Sequence, residues 1–167
     1  MQHKSTMEIT LKDSLKSILL GLLAALSIYV CILLQLPAWV LFIGWSTYAL
    51  FCTSKTTTLI SFLEETAGML LAYFINIFAI YLNTYTPEFG VLLSVFGIVT
   101  LLYWVTKLKL FNNLITYFLG MTAWFSYPSD SLNNLPMLML SLGLGIGFGY
   151  VYTVFDGLIS NYKYNGK

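Results

Sequence analysis

The chain has 167 residues, of which 58% are hydrophobic and only 9% charged, and its formal net charge is +1. Soluble domains carry about 25% charged residues, so the composition excludes an ordinary water-soluble domain and indicates a protein folded in a lipid bilayer. The eight basic residues, all lysines, are scattered along the chain, which argues against binding to nucleic acid.

Six apolar stretches follow one another along nearly the whole chain. A membrane-spanning helix needs about 20 mostly apolar residues, so the sequence predicts an all-α membrane protein with six transmembrane helices. They form a single transmembrane domain at 15–159, between tails at 1–14 and 160–167. The first stretch lacks a convincing cleavage site, so it is interpreted as a retained helix rather than a signal peptide. The stretches are Leu15–Leu36, Pro37–Thr53, Leu59–Leu82, Phe89–Thr106, Leu110–Tyr127 and Leu135–Ile159.

The lysines divide unevenly between the two sides of the membrane. With six spans, all eight lysines fall in or beside the two tails and in the second and fourth connections. The only charged residues in the other three connections are Glu88 and Asp130. Positively charged residues are enriched on the cytoplasmic side of membrane proteins. Both termini are therefore predicted to be cytoplasmic. The lysines are Lys4, Lys12, Lys16, Lys55, Lys107, Lys109, Lys163 and Lys167.

Glycine and proline recur in a pattern that predicts three antiparallel helical hairpins. In each unit a helix with a glycine near its middle is followed by a turn with proline and by a returning helix with another glycine. Proline favours such turns because it lacks an N–H and has a fixed φ. Since each unit has two helices, the three copies share one orientation. The units are Gly21–Pro37–Gly44, Gly68–Pro87–Gly97 and Gly120–Pro136–Gly143.

The first, third and fifth stretches carry small and polar residues at intervals of three or four, which puts these residues on one face of each helix. Two interpretations stay open. Small residues let membrane helices approach closely, with occasional hydrogen bonds between helices. Alternatively, the three stripes converge on a polar path through the protein. The residues predicted to line such a path are Ser27, Gln35, Glu65, Asn76, Asn113 and Thr116.

The sixth stretch contains the segment GLGIGFG, in which two G-x-x-x-G pairs are interleaved. This pattern predicts a surface for helix packing. A nucleotide-binding loop is excluded, because no strand precedes the segment and it lies inside a span. The residues predicted to pack helices together are Gly21, Gly68, Gly120, Gly143, Gly145, Gly147 and Gly149.

Three acidic residues, Glu64, Glu65 and Asp156, lie within the apolar stretches. Intramembrane carboxylates usually face a bundle interior or an aqueous cavity and mark routes for ions, protons or substrates. Adjacent helical residues point about 100° apart, so Glu65 shares the polar stripe, whereas Glu64 is expected at the membrane interface or paired with a cytoplasmic lysine. For Glu65 an interfacial role stays open beside the functional one. Asp156 is expected to pair with Lys163 or to lie near Glu65.

No arrangement typical of an enzyme is present. His3 lies in the N-terminal tail, no histidine or cysteine cluster has the spacing of metal ligands, and no nucleophile stands beside a base. Cys31 and Cys52 fall near opposite ends of the first two spans, too far apart for a disulfide. The protein is therefore predicted to be no enzyme and to hold neither a metal nor a cofactor.

Three segments, "LPAWVLFIGWSTYA", "LITYFLGMTAWFSY" and "LPMLMLSLGLGIGFGYV", resemble in order and spacing the YcdZ-like bacterial inner-membrane proteins, a family of unknown function. The resemblance extends from about Leu15 to Val154. It implies a multi-pass protein of the bacterial inner membrane, and it supplies no substrate or catalytic residues. The Glu64–Glu65 pair is not part of the family pattern.

Two functional classes remain. The polar stripes and the intramembrane acid favour a channel or permease for a small solute or ion, either within one protomer or at the axis of a homo-oligomer. The alternative is a non-conducting subunit whose stripes bind a membrane partner protein. The sequence leaves the substrate and the oligomeric state undetermined.

Overall fold

The structure, a computed structural model, describes residues 11–128 and 131–161. This part of the chain forms six α-helices and one 3-10 turn and contains no strand, which confirms the predicted all-α class. Most of the two predicted tails, with His3, Lys4, Lys163 and Lys167, lies outside the described residues, as does Asp130 in the connection before α6. The helices are α1 (Leu11–Leu34), α2 (Ala38–Phe51), α3 (Lys55–Asn83), α4 (Gly90–Val105), α5 (Leu114–Phe125) and α6 (Leu135–Asn161), and the 3-10 turn is Leu132–Asn134.

Local sequence signals set where the helices begin. The Ser54 side chain accepts a hydrogen bond from the Thr57 backbone N–H, and the Thr57 hydroxyl accepts one from the Ser54 N–H. This reciprocal capping starts α3 at Lys55, one turn before the predicted start at Leu59. α2 begins directly after Pro37, whose extended backbone suits the position before a helix.

Three of the six helices are long and apolar enough to cross a membrane; these segments are Lys12–Leu34, Lys55–Asn83 and Leu132–Asn161. The other three are shorter than the predicted spans: α2, α4 and α5 have 14, 16 and 12 residues. At about 1.5 Å of rise per residue, α5 is roughly 18 Å long. It is short because the chain leading into it is not helical and a turn follows it at Ser126. The three long helices indicate a membrane protein.

The surface supports the same conclusion, because large apolar side chains are exposed on all six helices. Examples are Leu22 on α1, Ile80 on α3 and Phe96 on α4, which are 64%, 69% and 73% exposed. Soluble monomers rarely expose contiguous apolar patches of more than a few hundred Å². An apolar exterior of this kind is suited to lipid.

α2 and α6 form one of the two most extensive helix pairs. A Cβ added to Gly44 would overlap the backbone carbonyl of Leu142, and one added to Gly145 would overlap the carbonyl of Leu41. Because only glycine permits such an approach of two backbones, these two positions set the distance between the helices.

α3 and α5 form the other pair in the same manner. A Cβ on Gly68 would overlap the carbonyl of Tyr117, and one on Gly120 would overlap the carbonyl of Glu65. In both pairs each helix contributes one glycine and the carbonyl of the residue one turn before it. The two pairs therefore use the same contact, although no two of the four helices share a sequence.

Two aromatic contacts repeat the correspondence. Tyr48 of α2 meets Tyr150 of α6 edge to face at a centroid distance of 6.2 Å, and Trp124 of α5 meets Tyr73 of α3 in the same arrangement at 5.7 Å. In each of the four helices the aromatic residue comes four or five residues after the packing glycine, so both helices of a pair run in the same direction from the first contact to the second. α2 therefore runs parallel to α6, and α3 runs parallel to α5.

The entry to each short helix is also held in an equivalent way. The Ser141 hydroxyl of α6 donates a hydrogen bond of 2.8 Å to the carbonyl of Pro37, the residue before α2. The backbone N–H of Asn113, the residue before α5, donates one of 3.0 Å to the Glu64 side chain of α3. A side chain of the long helix thus binds the backbone just before the short one in both pairs.

Helices α1–α3 and α4–α6 consequently correspond as two three-helix units. The Thr47 hydroxyl of α2 contacts the Glu65 carboxyl of α3, so the chain turns back between these helices and they run antiparallel. α2 corresponds to α5, yet α5 runs parallel to α3; the second unit is therefore inverted relative to the first. Gly21, Gly44 and Gly68 of the first unit correspond to Gly97, Gly120 and Gly145 of the second.

The predicted grouping into three sequential hairpins is not confirmed by these contacts. The most extensive pairs join α2 with α6 and α3 with α5, and within the described residues α5 and α6 are not main neighbours. Every helix carries a glycine near its middle. The glycine spacing is therefore compatible with a repeat of two helices and equally with a repeat of three. Only the packing distinguishes the two groupings.

The prediction of packing glycines is correct for four of the seven positions and missed Gly44. Gly21 and Gly147 have no atom within 4 Å of an added Cβ, and Gly143 has only an ordinary contact with Phe62, so these three make no close helix contact within the described residues. The interleaved G-x-x-x-G pairs of α6 thus divide by face: Gly145 and Gly149 pack on α2, whereas Gly143 and Gly147 line an open cavity of about 640 Å³ between α2, α3 and α6. The four packing positions are Gly68, Gly120, Gly145 and Gly149.

The hydrophobic core has two parts. The larger lies around α3 and α5 and includes Met69, Met121 and Trp124. The smaller joins α1 to α2 through residues that include Cys31 and Trp45. Cys31 and Cys52 are both free thiols.

Candidate functional site

The two acidic residues of α3 lie inside the protein. Glu65 is 0% exposed and Glu64 is 1% exposed. Glu64 is enclosed by protein because the start of α5 covers it, whereas the sequence favoured a place at the membrane interface or a pair with a cytoplasmic lysine. Burying a carboxylate away from water is costly unless hydrogen bonds or charges compensate it. The hydrogen-bond partners of each carboxyl oxygen therefore decide how stable these two side chains are.

Glu65 lies beside the crossing of α3 and α5, where its backbone carbonyl meets Gly120. Its Oε1 accepts a hydrogen bond from the hydroxyl of Thr47 on α2. Its Oε2 is buried and makes no hydrogen bond within the described structure. Glu65 is thus enclosed by three helices, with one carboxyl oxygen bound and the other unpartnered.

Glu64 faces a different neighbour, as its angular separation from Glu65 requires. Its Oε1 accepts the hydrogen bond from the Asn113 backbone N–H, which lies at the start of α5. The hydroxyl of Thr116, one turn further along α5, is buried next to Glu64 without a well-formed hydrogen bond. Glu64 therefore joins α3 to the N-terminal end of α5.

A cavity of about 250 Å³ opens next to Glu64, between the first turns of α3 and the segment that leads into α5. Six of its nine lining residues are polar, and two of these, Ser61 and Glu64, are buried. Lys109 and Asn112 are exposed and form part of the wall. The nine lining residues are Phe51, Thr57, Ile60, Ser61, Glu64, Lys109, Leu110, Asn112 and Asn113.

Only part of the predicted polar path comes together here. Glu65, Thr116 and Asn113 lie around the crossing of α3 and α5. Ser27 is buried on α1 and donates its hydrogen bond to the Ala24 carbonyl of its own helix, and Gln35 is exposed after the end of α1 with a φ of 55°. The main contacts of α1 are with α6 and α2, so the first stripe does not join the other two.

The remaining predicted residues lie elsewhere. Asn76 is half-buried on α3, further along the helix than the glycine crossing. Asp156 of α6 forms an ion pair of 2.9 Å with Lys16 of α1, and both side chains are about one-third exposed. The expected alternatives for Asp156, pairing with Lys163 or proximity to Glu65, missed this partner; Lys163 lies outside the described residues.

Sequence reasoning left four polar residues out of the site: Thr47, Ser61, Lys109 and Asn112. Thr47 had a detectable signal, since a threonine within the apolar stretch Pro37–Thr53 needs a hydrogen-bond partner when it faces inward. Ser61 shares the polar stripe of α3 with Glu65, four residues later, which was a readable signal. Lys109 and Asn112 lie in the connection between α4 and α5, where polar residues are ordinary, so the sequence carried no signal for them. Within residues 11–128 and 131–161, no group of three or more His, Cys, Asp or Glu side chains could hold a metal ion.

The model of the family described as "Protein of unknown function (DUF1097)" matches residues 17–156. The chain belongs to this family. The match extends over both three-helix units and includes Glu64 and Glu65. No curated protein and no solved structure matches the chain. The family has no assigned function, and neither the YcdZ-like name nor a bacterial source is confirmed by the match.

Proposed function

We propose that this DUF1097 protein is a small channel or permease of the bacterial inner membrane, which carries a small solute or ion past Glu65. The observation that carries the proposal is the burial of Glu65 among three helices with one carboxyl oxygen unpartnered. A buried carboxyl oxygen without a partner is destabilising. Its retention is explained if a proton or a cation binds there during the transport cycle.

The architecture supports the same proposal. Many transporters are built from inverted repeats, with substrate and ion sites near the middle of the membrane where the repeats meet. Here Glu65 of the first unit contacts α5 of the second unit through Gly120. Movement of one unit against the other would change the surroundings of Glu65, which is the requirement for alternating access.

Flux through proteoliposomes tests the proposal. We expect uptake of at least one solute from a panel of protons, potassium, methylamine, glycine, urea and acetate, above that of empty vesicles. Glu65→Gln keeps the shape but removes the charge and the exchangeable acid proton, so it is expected to lower this flux at least tenfold.

The matched control is Glu88→Gln, because Glu88 is exposed in the connection between α3 and α4. This variant is expected to transport like the native protein. Equal flux in native protein and Glu65→Gln, or flux no greater than that of empty vesicles for every solute, would contradict the proposal.

We also propose six transmembrane helices with both termini in the cytoplasm. Labelling of single cysteines with a membrane-impermeant maleimide tests this topology in a background that lacks Cys31 and Cys52. Glu88→Cys is expected to react in intact cells, whereas Lys55→Cys is expected to react only after permeabilisation; both positions are exposed in the structure. Reaction of both cysteines from the same side would refute the topology.

A non-conducting membrane subunit is the second candidate function, and one observation favours it. Gly143 and Gly147 are exposed in the open cavity between α2, α3 and α6, where an added Cβ would make at most an ordinary contact with Phe62. A pair of small residues at this spacing can receive another helix, from a second copy or from a different membrane protein. Vesicles without flux, together with a specific partner that is lost in Gly147→Leu, would favour this function over transport.

A further inference from the structure

The cavity beside Glu64 has charged groups of both signs. Glu64 forms part of its buried floor, whereas Lys109 is exposed in its wall. The ion pair in the described part of the chain joins Lys16 to Asp156. Glu64 and Lys109 therefore line the same cavity without forming an ion pair with each other. A ligand that carries both charges would satisfy both groups.

The charge on Glu64 requires compensation. Its carboxylate accepts the Asn113 N–H, and buried charged groups are usually paired with an opposite charge as well as hydrogen-bonded. An ammonium group in the cavity would supply this charge together with hydrogen-bond donors. The Lys109 side chain can reach an anionic group of the same ligand from the open side.

The other polar groups restrict the ligand further. The hydroxyl of Ser61 and the side-chain amide of Asn112 line the cavity, and both kinds of group can donate and accept hydrogen bonds. The volume of about 250 Å³ is below the roughly 300–1,000 Å³ of pockets for drug-sized ligands. The cavity therefore fits a compact polar molecule.

The corresponding place in the other unit provides an internal comparison. There Ser141 takes the position of Glu64 and binds the Pro37 carbonyl. The positions of Ser61 and Asn112 are taken by Leu138 and Leu36, which pack in the hydrophobic clusters. The architecture itself thus requires no polar cavity, and the polar residues are specific to the end of the protein that contains Glu64.

We propose that this cavity binds a small zwitterion of the amino-acid class, with its ammonium group at Glu64 and its carboxylate at Lys109. The inference rests on the proposed transport function, since it names the substrate class. Glu64 and Glu65 are consecutive in α3 but face different neighbours, so the ligand site lies beside the proposed route through the protein.

Equilibrium binding of radiolabelled glycine to the detergent-solubilised protein tests the inference without any transmembrane gradient. Saturable binding is expected, and it should be weakened at least tenfold in Glu64→Gln. Lys109→Gln is expected to weaken glycine binding while leaving competition by methylamine unchanged, because methylamine has no carboxylate. Ser141→Ala is the matched control in the other unit and is expected to bind glycine like the native protein.

Several results would overturn the inference: no saturable glycine binding, full binding in Glu64→Gln, or competition by methylamine or acetate that equals competition by unlabelled glycine. Lys109 is exposed, so its variant tests the site even if Glu64→Gln does not fold. The two proposals fail separately. Glycine binding without flux of any solute would overturn transport alone, whereas flux of another solute without glycine binding would overturn the zwitterion site alone.

Discussion

Replacing Gly120 with leucine is expected to separate α3 from α5 and to destabilise the folded protein. The added side chain would meet the Glu65 backbone carbonyl, which cannot rotate away as a flexible side chain can. Overpacking costs typically 1–3 kcal/mol and sometimes more, and a collision with backbone belongs at the upper end. We expect the free energy of unfolding to fall by about 3 kcal/mol or more, which lowers the melting temperature by roughly 10 °C in a chain of this size.

The other unit offers an independent repetition of this experiment. Gly44→Leu would meet the Leu142 carbonyl in the equivalent contact between α2 and α6 and is expected to have an effect of similar size. Gly21→Leu and Gly147→Leu are the controls, because nothing lies within 4 Å of a Cβ at either position. The melting temperature of all four variants is measured in detergent, with the folded fraction that remains after heating determined by size-exclusion chromatography. Equal stability of the Gly120 and Gly21 variants would refute the packing described for α3 and α5.

The double variant Thr47→Val/Glu65→Leu is expected to be at least as stable as the native protein and to lose its flux entirely. Replacing both partners of a buried hydrogen bond by apolar groups of similar shape can be nearly neutral or stabilising. Here the replacement also removes the unpartnered Glu65 oxygen and its Thr47 partner together. Gain of stability with loss of flux would identify Glu65 as a residue retained for function.

Thr47→Val alone distinguishes this explanation from a general tolerance of the site. It leaves the second oxygen of Glu65 without a partner, so it is expected to lower the free energy of unfolding by about 1–3 kcal/mol. Melting in detergent and the proteoliposome assay are to be applied to both variants. A double variant that is much less stable than the native protein would contradict the expected effect on stability, and one that still conducts would contradict a transport role of Glu65.

Helix class and approximate helix positions could be predicted from the sequence because both depend on local properties. Apolar stretches and Pro37 placed α1 and α2 to within a few residues, apart from the first turn of α1, which begins before the predicted stretch. The start of α3 was misplaced by one turn, although the capping residues Ser54 and Thr57 carry a readable signal. The short α5 was overestimated because hydropathy does not register that the chain from Leu110 to Asn113 is non-helical.

The candidate site could be predicted only in part. Helical periodicity correctly separated the surroundings of Glu64 and Glu65, since adjacent residues point in different directions. It could not reveal that α5 covers Glu64 or that Thr47 binds Glu65. It also grouped Ser27 with Glu65 on the strength of similar stripes, whereas α1 packs mainly on α6 and α2.

The sequence by itself determined that this protein is an apolar, all-helical chain suited to lipid, because hydropathy and helix propensity act over neighbouring residues. The tertiary structure alone decided which helices lie opposite one another, and hence that Glu65 is enclosed by α2, α3 and α5. The physical reason is that periodicity identifies the residues on one face of a helix but not the helix that this face meets. In this protein that choice is made by close backbone contacts at Gly44, Gly68, Gly120 and Gly145, which form only when the helices are assembled.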